Sequence, residues 1–179
     1  MDEKIVLIAA FGSIGNEVEV FRQTLEAFGY LVIVKYIGRP NDFITILEDR
    51  FPVKYQYLVL SCHGDDGQFI MPVLGDEIYT SDEPRGNFSD IEIERYLKLK
   101  EKIIISSGCT TGMPDISRVF GRENCYIAPK DYIEGNAAIL FVIRLFYELI
   151  KGELLEVAFK MAKCMDEETE LFVLKEKVE

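Results

Sequence analysis

Apolar residues in this chain gather into short unbroken runs, and between the runs they recur every three or four positions, which is how buried strands alternate with amphipathic helices. Residues 4–11 form the first run. Gly12 to Gly15 turn it into a helix over about 17–28, for which Asn16 and Glu19 supply a capping box. Gly29 closes that helix, 31–36 is a second run, and a helix over about 42–50 ends at Pro52 before a third run at 57–61. Runs that are continuous rather than alternating belong to strands covered on both faces. The β-α-β-α-β order therefore predicts a parallel sheet with right-handed crossovers and helices on both sides.

Beyond residue 64 the pattern loosens. Residues 69–71 and 73–78 predict a short hairpin, followed by a polar loop over 79–88. Ser89 to Glu92 caps a helix reaching about 98, and 102–106 is a fourth strand. A short helix at 114–120 and a fifth strand at 124–128 come next. An apolar helix over 137–150 ends at Gly152, and a further helix runs over about 154–165. The expected architecture is an α/β fold, a three-layer α-β-α sandwich with a mostly parallel sheet, in a single domain over 1–165. Residues 166–179 are a charged tail in which 171–174 has the make-up of an edge strand.

Composition narrows the classes. A chain of 179 residues that is 49% hydrophobic can bury a sizeable core. The first four residues are of mixed charge and no apolar stretch approaches the roughly 20 residues of a membrane span, so a soluble cytoplasmic protein is expected. In that compartment the four cysteines stay reduced. A net charge of −11 and a pI near 4.7 exclude a nucleic-acid binder, which needs a basic face, and bias the surface toward cationic partners.

The candidate chemistry lies at two strand ends. His63, the only histidine, follows the third run and precedes Gly64. Cys109 follows the fourth run behind Ser107 and Gly108. In an open parallel sheet, sites form beyond the carboxyl ends of strands, so neighbouring third and fourth strands would present these side chains as a dyad. A thiol needs an imidazole or a positive dipole to become a nucleophile near neutral pH. The Gly64 and Cys109 amides are candidates for binding an oxyanion, which suits acyl transfer and most simply amide or peptide hydrolysis. Cys62, Cys125 and Cys164 read as small buried hydrophobes. Three rival motifs are weaker. No Cys/His pair has the spacing of a structural zinc site, so no metal and no cofactor is expected. The Gly12 and Gly15 turn lacks the first glycine and the distal acid of a dinucleotide fingerprint, leaving nucleotide binding as a lesser alternative. An α/β-hydrolase elbow at Cys109 would place its histidine later in the chain, not earlier.

The order strand, His63-Gly64, strand, Gly108-Cys109 resembles the caspase-like cysteine peptidases (clan CD), a group that includes caspases, metacaspases, gingipains, separase and the bacterial CHAT peptidases. His63 lies 46 residues before Cys109, near the roughly 50 of caspases. The segment 137–162, with Phe141, Phe146-Tyr147, Gly152 and Ala158, is similar to the closing helices of CHAT domains, the nearest in appearance, and the likeness spans 4–162. The resemblance implies a caspase-like doubly wound sheet, His63 as general base, Cys109 as nucleophile and Gly64 at the oxyanion. It implies no substrate preference. Caspases carry Gln-Ala-Cys and metacaspases Asp-Ser-Cys-His, where this chain has Ser107-Gly108-Cys109-Thr110.

Specificity is expected from the rim acids Asp65, Asp66, Asp131 and Glu134, whose carboxylates suit an arginine or lysine side chain. The function expected is thus a cysteine endopeptidase cutting peptide or protein substrates after a basic residue. The alternative is a catalytically silent signalling or scaffold domain with partner proteins. Neither nucleic acid nor membrane is an expected partner.

Overall fold

The computed structural model describes residues 4–12 and 14–177. In chain order the first half comprises β1 (Ile5–Phe11), α1 (Glu17–Ala27), β2 (Leu31–Ile37), α2 (Pro40–Leu47), β3 (Tyr57–Ser61), β4 (Gly64–Asp65) and β5 (Gln68–Phe69). The second half comprises α3 (Asp90–Tyr96), β6 (Ile103–Ser106), α4 (Pro114–Phe120), β7 (Cys125–Pro129), α5 (Gly135–Ile150), α6 (Leu155–Lys163), a single 3-10 turn (Thr169–Leu171) and β8 (Phe172–Lys175).

The period of two along a strand divides the core. Val6, Ile8 and Ala10 of β1 pack into one cluster, while Leu7, Ala9 and Phe11 pack into the other. Phe21 and Leu25 of α1, Phe141 and Leu145 of α5 and Phe159 of α6 close the first cluster. Phe43 and Leu47 of α2, Ile93 of α3 and Phe120 of α4 close the second. The sheet is therefore sandwiched between two helical layers, as the unbroken apolar strands require.

Six strands form the sheet in the order β2-β1-β3-β6-β7-β8, all parallel except β8, which runs antiparallel to β7. From β1 the chain crosses to β2 on one side and returns to β3 on the other. The crevice beyond the carboxyl ends of β1 and β3 is thus the topological switch point, where ligands gather in open α/β sheets.

Several expectations need correction. The hairpin is not at 69–78 but at Gly64 to Phe69, around Asp66 (φ 46) and Gly67 (φ 68), which take the two left-handed positions of a type I′ turn. Val73, at 91% exposure, has no sheet face to bury. Asn16 makes no side-chain cap to α1, and Glu19 instead pairs with Arg22 at 3.0 Å. The helix expected over 42–50 starts at Pro40 and ends at Leu47; Asp42 accepts from the Gly38 and Arg39 amides at 3.0 and 3.2 Å. The edge strand expected at 171–174, by contrast, is present as β8, the outermost strand of the sheet beside β7, and Phe172 stacks on Phe141 with centroids 3.7 Å apart. Cys164 is exposed and Cys125 half-buried, so only Cys62 is a buried hydrophobe. Ser13, in the turn considered for nucleotide binding, lies outside the described residues, as do residues 1–3 and the last two of the tail. No helix among the described residues is long and apolar enough to cross a membrane.

Candidate active site

β3 and β6 are neighbours, with Leu60 opposite Ser106, so the turns that follow them leave the sheet side by side. His63 and Cys109 both line one cavity of about 210 Å³ at the switch point. Its other walls are Ile14 and Glu17 from the start of α1, Cys62 and Ser107 from the two turns, and Ile133, Gly135 and Ala138 from the start of α5.

Glycine is required where the turns meet. A Cβ on Gly64 would lie 2.1 Å from the Cys109 carbonyl oxygen and 2.7 Å from Cγ2 of Thr111. A Cβ on Gly108 would lie 2.8 Å from the Cys62 sulfur and 3.2 Å from the Gly64 nitrogen. The direction of the Gly64 amide follows from the hairpin register. The Ile70 amide donates to the His63 carbonyl at 3.1 Å, so the next pair, Gly64 with Phe69, falls in the non-hydrogen-bonded position of the ladder. The Gly64 N–H consequently points away from β5.

The cysteine turn is clamped from three sides. Thr110, at φ 60, donates its amide to the Asp131 carbonyl at 3.2 Å, and the Gly112 amide donates to Pro129 at 2.8 Å. The Gly67 amide at the hairpin tip donates to Oγ1 of Thr110 at 3.0 Å. Beneath the turn, the Thr111 hydroxyl bonds Ser106 Oγ at 2.8 Å and the Gly108 carbonyl at 2.7 Å, and the Tyr126 hydroxyl donates to the Thr111 carbonyl at 3.0 Å. The Cys109 thiol donates to the Ile133 carbonyl at 3.4 Å. Burial pushes the neighbouring Cys62 thiol up to about 12, which leaves it protonated and inert.

Glu17 is the residue that pattern reading passed over. Its Oε1 accepts from the Ser61 hydroxyl and, at 2.7 Å, from the Ser107 hydroxyl. Burial raises the Glu17 pKa above the ordinary carboxylate range, and the two serine hydroxyls and the charge of His63 only partly offset it. The signal available in the sequence was a polar serine closing each of two apolar runs, Ser61 and Ser107, which needed a buried partner.

The four rim acids are exposed and lie outside the residues lining the cavity. Asp65 accepts from the Tyr132 hydroxyl at 2.5 Å, Asp131 from the Tyr132 amide at 2.8 Å, and Asp66 sits at the hairpin tip. Glu134 precedes α5, and its amide donates to Glu168 at 2.6 Å. Tyr132 thus ties the loop after β7 to the hairpin, and the acids brace the rim. Among the described residues no group of three or more His, Cys, Asp or Glu side chains could hold a metal ion. No protein-family model matches the chain, and no curated protein matches it.

Proposed function

We propose that the chain is a cysteine peptidase of the caspase-like kind, hydrolysing an amide bond of a peptide or protein through His63 and Cys109. The supporting observation is that the one histidine and Cys109 wall the same cavity at the carboxyl ends of adjacent strands. His63 takes the thiol proton, Sγ attacks the carbonyl carbon, and the Gly64 and Cys109 amides receive the developing oxyanion. The C–N bond breaks as His63 returns the proton to the leaving amine. Water then adds to the thioester with His63 as base, releasing the acid and restoring the thiol. The four free cysteines suit a cytoplasmic setting.

One observation favours the same fold without turnover: the Cys109 thiol is already engaged with the Ile133 carbonyl at the cavity wall, at 3.4 Å. A thiol-reactive probe at pH 6 separates the two readings. The peptidase reading expects Cys109 to label at least about 10-fold faster than Cys125 or Cys164, and His63→Ala to remove the excess. Equal labelling of the three cysteines, unaffected by His63→Ala, means a structural thiol.

A further inference from the structure

We infer that Glu17, rather than the acids of the rim, selects the substrate: its carboxylate forms the end of a side-chain pocket beside Cys109 that takes an arginine or lysine preceding the cleaved bond. The assignment rests on the thiol hydrolase reading above and names its substrate class.

The cavity fits one side chain. At about 210 Å³ it is smaller than the roughly 300–1,000 Å³ of sites that enclose a whole small molecule. Ile14, Ile133 and Ala138 supply apolar wall, the surface along which the methylene stem of a long cationic side chain packs while its head seeks a polar partner. Among the described residues lining the cavity Glu17 is the only carboxylate, and no lysine or arginine lines it. The other titratable groups on the walls are His63, Cys62 and Cys109.

The carboxylate is held ready for a cation. Both serine hydroxyls bond its Oε1, which fixes the group and leaves Oε2 outside that pair of bonds. Ser61 ends β3, and Ser107 follows β6 directly with its amide bonded to the Leu60 carbonyl at 3.0 Å, so the rigid sheet itself sets the position of the charge. Burial disfavours the Glu17 charge more than its neighbours favour it, and a guanidinium or ammonium in the cavity would reverse that balance. A half-buried carboxylate whose burial outweighs the favourable charge of His63 is costly as a purely structural feature, and it lies in the same cavity as the sulfur that would attack the bond next to the bound side chain. The rim acids are bonded to Tyr132 or stand outside the cavity, so they are worse placed to read the substrate.

The test uses the full chain and two fluorogenic peptides identical except for arginine or its neutral isostere citrulline before the reporter. Wild-type protein should favour arginine about 100-fold in kcat/KM, the scale of a desolvated charge pair, and Glu17→Gln should bring the ratio below about 5. A wild-type ratio near one overturns the assignment without any variant. A Glu17→Gln protein that keeps the preference overturns it too, and so does one that loses both peptides equally, which would make Glu17 a positioning residue for His63. A second arm needs no turnover: Nα-acetyl-arginine amide is titrated calorimetrically into Cys109→Ala, with and without Glu17→Gln. Binding at least about 30-fold weaker in the double variant supports the cation pocket. If neither peptide is cut yet this binding is seen, the pocket stands and the hydrolase reading falls. If there is neither turnover nor binding, both fall.

Discussion

A single methyl group on Gly64 would meet the backbone of the cysteine turn: its Cβ would fall 2.1 Å from the Cys109 carbonyl oxygen, and a main-chain atom clamped at Thr110 and Gly112 cannot swing aside as a flexible side chain would. Gly64→Ala should therefore push the two turns apart, at a cost of about 1–3 kcal/mol in urea unfolding. Labelling of Cys109 at pH 6 should slow at least about 10-fold, because the imidazole and the thiol no longer share a wall. Gly86→Ala is the control. Nothing lies within 4 Å of a Cβ there, and stability should stay within about 0.5 kcal/mol. A Gly64→Ala protein as stable and as reactive as wild type would show that the close approach is not needed. At this scale the sequence was legible where a residue is both chemically distinctive and placed by a strand end, as His63 and Cys109 are. Glu17 was not legible, since an acid in the first turn of a helix is common. Its meaning comes from Ser61 and Ser107, which lie 44 and 90 positions away in the chain.

Between β5 and α3 the chain holds itself with one carboxylate where regular elements are lacking. Glu83 is buried, and it accepts from Arg39 Nε at 3.0 Å, from the Asn41 amide at 2.9 Å and from the Thr80 amide at 3.2 Å. Arg39 also donates to the Ile78 carbonyl at 3.0 Å, so the start of α2 and the loop over 79–88 form one unit. The Arg39 guanidinium foremost, with the two amides, holds the Glu83 pKa down to about 2. Because the folded pKa lies below the unfolded value, the stabilisation is present above about 4.5 and is lost as pH falls toward 2. Glu83→Ala should cost about 2–3 kcal/mol at pH 7, below the roughly 3–5 kcal/mol of a fully buried pair because Arg39 is 32% exposed. The gap from wild type in urea unfolding should close between pH 4.5 and 2; a gap that does not depend on pH would mean packing alone. None of this was legible beforehand. Arg39 and Glu83 are far apart in sequence, and β4 and β5 are two residues each, too short for periodicity to register. The Asp66-Gly67 dipeptide was the available sign, but the bulkier apolar residues from 69 to 78 outweighed it.

Across the whole molecule, the sheet was legible because every strand of the parallel block is an apolar run with a helix or turn at each end, and that pattern repeats without regard to what binds at the crevice. Its last strand was less so. β8 belongs to an apolar run of only four residues, Leu171 to Leu174, between Glu170 and Lys175, and its antiparallel pairing with β7, Ile127 opposite Leu174, can be inferred only once β7 is seen to end the parallel block. The strand is nonetheless tied to the core and to the rim of the candidate site. Phe172 is fully buried, stacks on Phe141 of α5 and pairs with Pro129, while the Lys130 amide donates to the Leu171 carbonyl at 3.0 Å, just ahead of the loop that carries Asp131 to Glu134. Removing the ring leaves a cavity between α5 and the sheet that rigid helices cannot fill. Phe172→Ala should cost about 3–5 kcal/mol by urea unfolding. The loop over 130–134 should loosen as well, since both ends of it lean on this packing, and its amide hydrogen exchange should speed up together with that of β7. Phe172→Leu, which keeps most of the volume, should recover more than half of the loss. If Phe172→Ala unfolds at the wild-type urea concentration, β8 is an appendage to the sheet, and the rim loop must take its order from Thr110 and the hairpin alone.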